Sequence, residues 1–336
     1  MNKFLTLTEA QRRTVFEQTA IRIKLPVGSI EKDFWVTEML NILFSLPYAD
    51  KMVFKGGTSL SKVWVVIRRF SEDIDIAIDR SMFGIEGDVT KKQLKKLRKA
   101  SSVFVRDTLT NDLIAAAEEA GLRDFVTIKA DPDGEGDATY PEPRQIHIIY
   151  KSILPSGTNP SLRDEVLLEV GARSLFEPTV KTKVESFVTT AFPHLTSNDN
   201  ATQVVAAVAE KTFLEKAFLL HELFTTDGCR NANRKSRHLY DLCKMFEAGI
   251  ADCAIPNDEL WETIRHHREV FTSIRDVDYT QDVRKRIVLA PPKSVIEEWR
   301  HDYDTMVLNM IYEDKLPTFS DIIKCMTKIE HMFKDI

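Results

Sequence analysis

Residues 54–62 read Phe-Lys-Gly-Gly-Thr-Ser-Leu-Ser-Lys, and residues 69–76 read Arg-Phe-Ser-Glu-Asp-Ile-Asp-Ile. Met52, Val53 and Phe54 form a short apolar run of strand type, broken by Gly56 and Gly57. Thr58 or Ser59 can cap a following helix, because their hydroxyls accept from backbone N–H groups that have no intrahelical partner. Leu60, Val63, Trp64 and Ile67 then recur at the spacing of a helix's core face. After Phe70 the period becomes two: Ile74, Ile76 and Ile78 share one face of a strand, and Asp73, Asp75, Ala77 and Asp79 share the other. A Gly-Gly turn alone is ordinarily a turn, and Asp-x-Asp alone is ordinarily a solvated strand face. In strand–turn–helix–strand order they supply what phosphoryl transfer needs: backbone donors for phosphate oxygens and two carboxylates able to share a cation. No Gly-Lys-Ser/Thr follows the glycines and no Gly-x-Gly-x-x-Gly is present, which excludes the two common phosphate-binding fingerprints.

Composition sets the frame. A chain of 336 residues, 43% of them hydrophobic, is long enough for two domains with real cores. Cys229, Cys243, Cys253 and Cys325 lack C-x-x-C spacing, against a zinc site and for a reducing compartment. No apolar run approaches 18 residues, so no membrane span and a cytoplasmic location are expected. The formal net charge of −5 confines any nucleic-acid contact to a local patch. Two such patches exist: "KKQLKKLRK" (91–99) and "RNANRKSRH" (230–238). Charged runs are usually solvated helix faces; the functional alternative is a track for an RNA backbone.

Patterning predicts two helices over 8–46, broken near Pro26-Val27-Gly28, a long helix over 89–120 ended by Gly121, and strands over 125–130, 144–153, 164–170 and 203–209. The "PSGTNPS" turn (155–161) is expected to join a hairpin. Beyond residue 210 the pattern is helical, over 210–224, 237–248, 257–276, 294–312 and 319–334. The expected fold class is therefore α+β, a mixed sheet with flanking helices followed by a helical C-terminal half, divided as 1–200 and 201–336.

Three further groups carry chemistry. In "RDEVLLEV" (163–170), Glu165 and Glu169 share a face with Leu167, and a carboxylate among apolar neighbours is costly to bury without a partner such as a metal. Lys216 lies beside the stripe Phe213, Ala217, Leu220, where its stem can pack while its ammonium meets an anion; Lys211 is the second choice. Arg237 and Asp241 stand four apart on one helix and can pair.

The string "GGTSLSK…RFSEDIDI" resembles the nucleotidyltransferase superfamily, and within it the AbiEii/AbiGii toxin family of abortive-infection and type IV toxin–antitoxin systems. "IEKDFWV" (30–36), "VLLEVGARS" (166–174), "EKTFLEKAFLLHE" (210–222) and "RKSRHLYDL" (234–242) resemble that family's other motifs in the same order. The resemblance covers about 25–250. It implies Asp73, Asp75 and Glu169 as ligands of Mg²⁺ or Mn²⁺, Lys216 as a catalytic cation, and Gly56, Gly57, Thr58, Ser59, Arg237 and Asp241 as nucleotide-binding residues. It also implies a nucleoside triphosphate donor, an RNA acceptor such as tRNA, and an antitoxin encoded nearby. The alternatives at this point are an enzyme that modifies a small molecule of the antibiotic type, and a non-catalytic nucleotide-binding module. All three carboxylates are present, against the latter.

Overall fold

The computed structural model describes residues 3–155, 163–195 and 201–336. By internal contact the chain divides into two units, Met1–Val63 with Ser71–Ala206, and Trp64–Phe70 with Ala207–Ile336.

The first unit is built on a seven-stranded mixed sheet. Its strands are β1 (Met52–Lys55), β2 (Asp73–Ile78), β3 (Val126–Ala130), β4 (Arg144–Tyr150), β5 (Glu165–Gly171), β6 (Thr179–Val184) and β7 (Thr202–Ala207), in the spatial order β3-β4-β5-β2-β1-β7-β6. Strand β2 runs antiparallel to β1 and parallel to β5. Strands β4 and β5 are the expected antiparallel pair; positions 156–161 of the turn expected between them lie outside the described residues. One face of the sheet is apolar, with Ile74, Ile76, Ile78, Ile146, Ile148, Val166, Leu168 and Val170 all buried. Helices α1 (Glu9–Ile23) and α2 (Val27–Leu43) appear where Pro26 was expected to separate them. Helix α2 is buried nearly all round: Phe34 packs on Phe4 and Phe16, and Trp35 stacks on Tyr150 of β4 at 5.7 Å. Each such ring contributes about 1.5–3 kcal/mol by leaving water.

The expected long helix is three pieces. Helix α4 (Lys91–Phe104) and helix α5 (Thr110–Glu119) are joined by a π turn over Val105–Leu109, where the Thr110 hydroxyl donates to Val105 O. Helix α3 (Gly56–Lys62) corrects two expectations. It starts at Gly56, with Lys55 as an N-cap that makes no side-chain bond, so neither Thr58 nor Ser59 is the cap. It stops at Lys62, and Val65 has a φ of 54°. The helical spacing of Leu60 and Ile67 is real, and both are buried, but in the cores of different units. The sequence pattern does not reveal β6, nor the short helix α6 (Phe187–Ala191).

The second unit is helical: α7 (Ala209–Phe224), α8 (Arg237–Glu247), α9 (Ile250–Ala254), α10 (Asp258–His267), α11 (Ile296–Met310) and α12 (Phe319–Lys334). Residues 64–70 join it through Trp64 Nε1, which donates to Ala207 O, and through a β-bridge between Arg69 and Ile311. Its core includes the stacked pair Phe218–Trp261 and the contact of Phe224 with Trp299.

Candidate functional site

The polar face of the sheet holds a row of four side chains at matched register. Lys55 stands opposite Asp75, Asp75 opposite Glu169, and Glu169 opposite Gln145, crossing β1, β2, β5 and β4. The Gln145 amide donates to Glu169 Oε1 at 2.7 Å. Asp75 and Glu169 are thus cross-strand neighbours on one face, and each lies within reach of the other's charge. Burial and then the neighbouring Asp75 charge push Glu169 above its ordinary range, with the Gln145 bond and the Lys55 charge acting in the opposite direction. Asp73 lies on the same face one pleat away, opposite Leu167.

The Gly-Gly turn closes over this row. Gly56 has a φ of 77°, and a Cβ added there would fall inside the Asp75 carboxylate. Gly56 is therefore required twice, for its backbone conformation and for the space Asp75 occupies. Thr58 and Ser59 are buried. The Thr58 hydroxyl donates to Asp73 O at 2.5 Å and lies 3.0 Å from Ser71 Oγ, tying α3 to the start of β2.

Three consecutive charged residues of α2, all buried, brace these strands. Glu31 accepts from Ser152 Oγ and Ile153 N. Lys32 pairs with Glu72 at 2.5 Å and donates to Arg163 O, so one ammonium touches the segments that enter β2 and β5. Asp33 pairs with Lys62, the last residue of α3, at 2.6 Å and accepts from Phe187 N. Beyond the row, Glu142 Oε1 accepts from Ala172 N and Arg173 N and occupies the space beside Gly171; burial raises the Glu142 carboxyl. Glu165 is engaged by His147 Nδ1 at 3.1 Å and by Arg163, and Asp79 caps a turn through Ser81 N.

The second unit holds the remaining expected residues. Asp241, 0% exposed, accepts both arms of Arg69, Nε at 2.6 Å and Nη2 at 2.8 Å, and pairs with Lys216 Nζ at 2.9 Å. Burial alone would raise Asp241, but the Arg69 and Lys216 charges hold it below the ordinary carboxylate range. Burial lowers Lys216, against the attraction of Asp241 and with Arg69 and Arg237 adding repulsion. His238 Nδ1 lies 3.3 Å from Lys216 Nζ, and burial together with Lys216 holds His238 well below its usual value. A neutral ring nitrogen there accepts from the lysine. The expected Arg237–Asp241 pair does not form: both oxygens of Asp241 are taken by Arg69 and Lys216, and Arg237 Nε is buried with no hydrogen-bond partner among the described residues. Lys211 is fully buried.

Lys55, Gln145 and Arg69 carry no motif of their own. Lys55 and Arg69 stood inside the quoted stretches, but their partners lie on other strands and helices. As for a metal, the chemistry of the donors fits one: two carboxylates paired across neighbouring strands, one of them pushed upward, would gain from a bound cation. Among the described residues no three His, Cys, Asp or Glu side chains are already gathered as a metal set.

In comparisons with known proteins, no curated protein matches. Over 98% of this chain and 90% of its own, the fold matches MenT4, a nucleotidyltransferase toxin from Mycobacterium tuberculosis H37Rv, with a TM-score of 0.55 and 16% identity. At that identity the match establishes the fold. Residues 40–325 match the model of a family described as nucleotidyl transferase AbiEii toxin, type IV toxin–antitoxin system. The chain belongs to that family of nucleotidyltransferase toxins.

Proposed function

We propose that this toxin transfers a nucleotide from a nucleoside triphosphate to an RNA acceptor such as tRNA, with Mg²⁺ held by Asp75, Glu169 and Asp73. The observation that carries this is the pairing of Asp75 with Glu169, two acids at matched register on neighbouring strands beside a glycine that leaves room for one of them. In the reaction an acceptor hydroxyl oxygen bonds to the α-phosphorus of the donor. The bond from that phosphorus to the pyrophosphate oxygen breaks, and the hydroxyl proton is lost to solvent or to a carboxylate. A bound divalent cation supplies charge neutralisation to the triphosphate and acidity to the hydroxyl. Gln145 fixes the rotamer of Glu169, and Lys55 places a positive charge beside the carboxylate row. Gly56, Gly57, Thr58 and Ser59 form the first turn of α3, assigned to the phosphates: Gly57 puts no Cβ in the way of a phosphate, Gly56 leaves room for Asp75, and the bond from Thr58 to Asp73 O holds the helix start to β2. In the second unit Lys216 and Arg237 are assigned to phosphate charge, with Asp241 and Arg69 fixing Lys216. The unpartnered Arg237 Nε supports an anion there. The cytoplasm is the compartment in which donor and acceptor meet.

The test is transfer of label from each of four α-labelled nucleoside triphosphates into total RNA, with and without Mg²⁺, beside Asp75→Asn. Metal-dependent label in RNA from the wild type alone is expected. Label entering only small polar acceptors would replace RNA by the antibiotic-type reading.

A further inference from the structure

We infer that the exposed face of α4 is a docking track for the sugar–phosphate backbone of a folded RNA. The inference rests on the RNA acceptor proposed above and adds where the body of that RNA is held. Lys91, Lys92, Lys95, Lys96 and Lys99 are all exposed. They fall in two adjoining columns, 91-95-99 and 92-96, so they cover one continuous arc of the helix. Steps of four residues place them about 6 Å apart over about 12 Å of helix. The opposite arc carries buried Leu97, Ser101 and Ser102 and packs inward, with Ser102 Oγ accepting from Arg144 Nε at 2.9 Å.

None of the five lysines forms an ion pair with a described carboxylate; Lys99 Nζ only overlies the Tyr140 ring at 5.3 Å. The arc is thus a local positive patch on a chain whose net charge is −5. Lysines four apart also repel, so the helix forgoes a few tenths of a kcal/mol at each such step. The capping box of Thr90 and Gln93 holds its first turn nonetheless. A polyanion laid along the arc removes that repulsion and releases its own counterions.

The choice of RNA follows from position and composition. Helix α4 meets the apolar face of the sheet, since Arg144 alternates with Gln145 and shares the side of Ile146 and Ile148. The carboxylate row is on the other side. A helix alone is about 10 Å thick, so a single nucleotide at Asp75 cannot touch these lysines, whereas a folded RNA is large enough to reach both faces. A membrane dock would set large apolar side chains among the bases. The exposed arc of α4 has none: Leu97 is buried and Leu94 is half-buried.

The experiment measures binding of total tRNA to the full-length protein by filter retention between 50 mM and 300 mM salt. The wild type is compared with the fivefold Lys→Gln and fivefold Lys→Glu variants of these positions, each checked for an unchanged thermal unfolding midpoint. We expect the Gln variant to bind tRNA at least tenfold more weakly and the Glu variant more weakly still. The slope of log affinity against log salt should flatten by about one for each lysine that meets a phosphate. Affinity for nucleoside triphosphate should not change. Equal tRNA binding by all three proteins overturns the inference. So does a loss confined to phosphatidylserine vesicles, which would assign the face to a membrane. Lysine-dependent tRNA binding without any label transfer into RNA would leave the docking face standing and remove the RNA acceptor.

Discussion

Two clusters in this molecule set carboxylates beside charged neighbours, and they are built on opposite principles. On the sheet, Asp75 meets Glu169, like against like, with burial pushing Glu169 upward. In the second unit, Asp241 is enclosed by Arg69 and Lys216, opposite against opposite, and is held far down. A buried charge is tolerated when its partner is present and is costly when alone. The second cluster is therefore balanced by cations of its own unit, while the first would gain from a bound cation. The difference can be broken one carboxylate at a time.

The largest expected effect is on activity, in the first cluster. Asp75→Asn should lower nucleotide transfer by a factor of about 10³ or more, since metal-ion charge stabilisation is worth several kcal/mol. The same change removes a repulsion from Glu169, so unfolding in urea should show equal or higher stability. An Asp75→Asn protein that transfers at the wild-type rate would end the metal assignment.

The second cluster should behave the other way. Asp241→Asn leaves Arg69 and Lys216 buried without their anion, which costs about 3–5 kcal/mol of stability. The urea midpoint of the second unit should fall accordingly. If it does not move, Asp241 is not the electrostatic centre of that unit. Asp241→Asn combined with Lys216→Met and Arg69→Met should recover part of the loss, because the buried cations leave with their anion.

How much of this was legible in the chain differs between the clusters for a physical reason. Asp73, Asp75 and Glu169 were readable because a strand alternates with period two, so face membership is local information. Their adjacency was not local, since it depends on β2 lying parallel to β5, a pairing across about 94 residues of sequence. Helical spacing offers Asp241 a partner, but not the one it takes. Arg237 is four residues away on the same helix, whereas Arg69 lies 172 residues away and wins because its planar fork meets both oxygens. The overlong helix over 60–67 failed in a related way. Apolar spacing reports that residues are buried without saying in which core, and Leu60 and Ile67 enter different ones.

A smaller effect tests the glycine that admits Asp75. Gly56→Ala places a side chain at positive φ, which costs about 1–2 kcal/mol. It also pushes the Asp75 carboxylate off its register with Glu169. Stability should drop by about 2 kcal/mol, and transfer should fall further than that loss of folded protein explains. The same change at Gly84, also at positive φ but with open space around it, should cost only the backbone strain. If the two substitutions reduce transfer equally, the contact between Gly56 and Asp75 has no catalytic weight.

The smallest effect is a dependence on pH whose sign differs between the two units. Glu142 is raised by burial, so its folded-state value lies above the unfolded value of 4.5. The stability it confers is complete below pH 4.5 and is lost as pH rises through the raised value. Asp241 is depressed, so its contribution is complete above the unfolded value of 3.8 and is lost only in strong acid. Urea unfolding of wild type, Glu142→Gln and Asp241→Asn between pH 4 and 8 separates them. The advantage of wild type over Glu142→Gln should shrink steadily with rising pH, since glutamine keeps an accepting oxygen for Ala172 N and Arg173 N but cannot ionise. The advantage of wild type over Asp241→Asn should stay level across the same range. A level Glu142 difference would mean that this carboxyl ionises as easily folded as unfolded, with the two backbone N–H donors offsetting its burial in full.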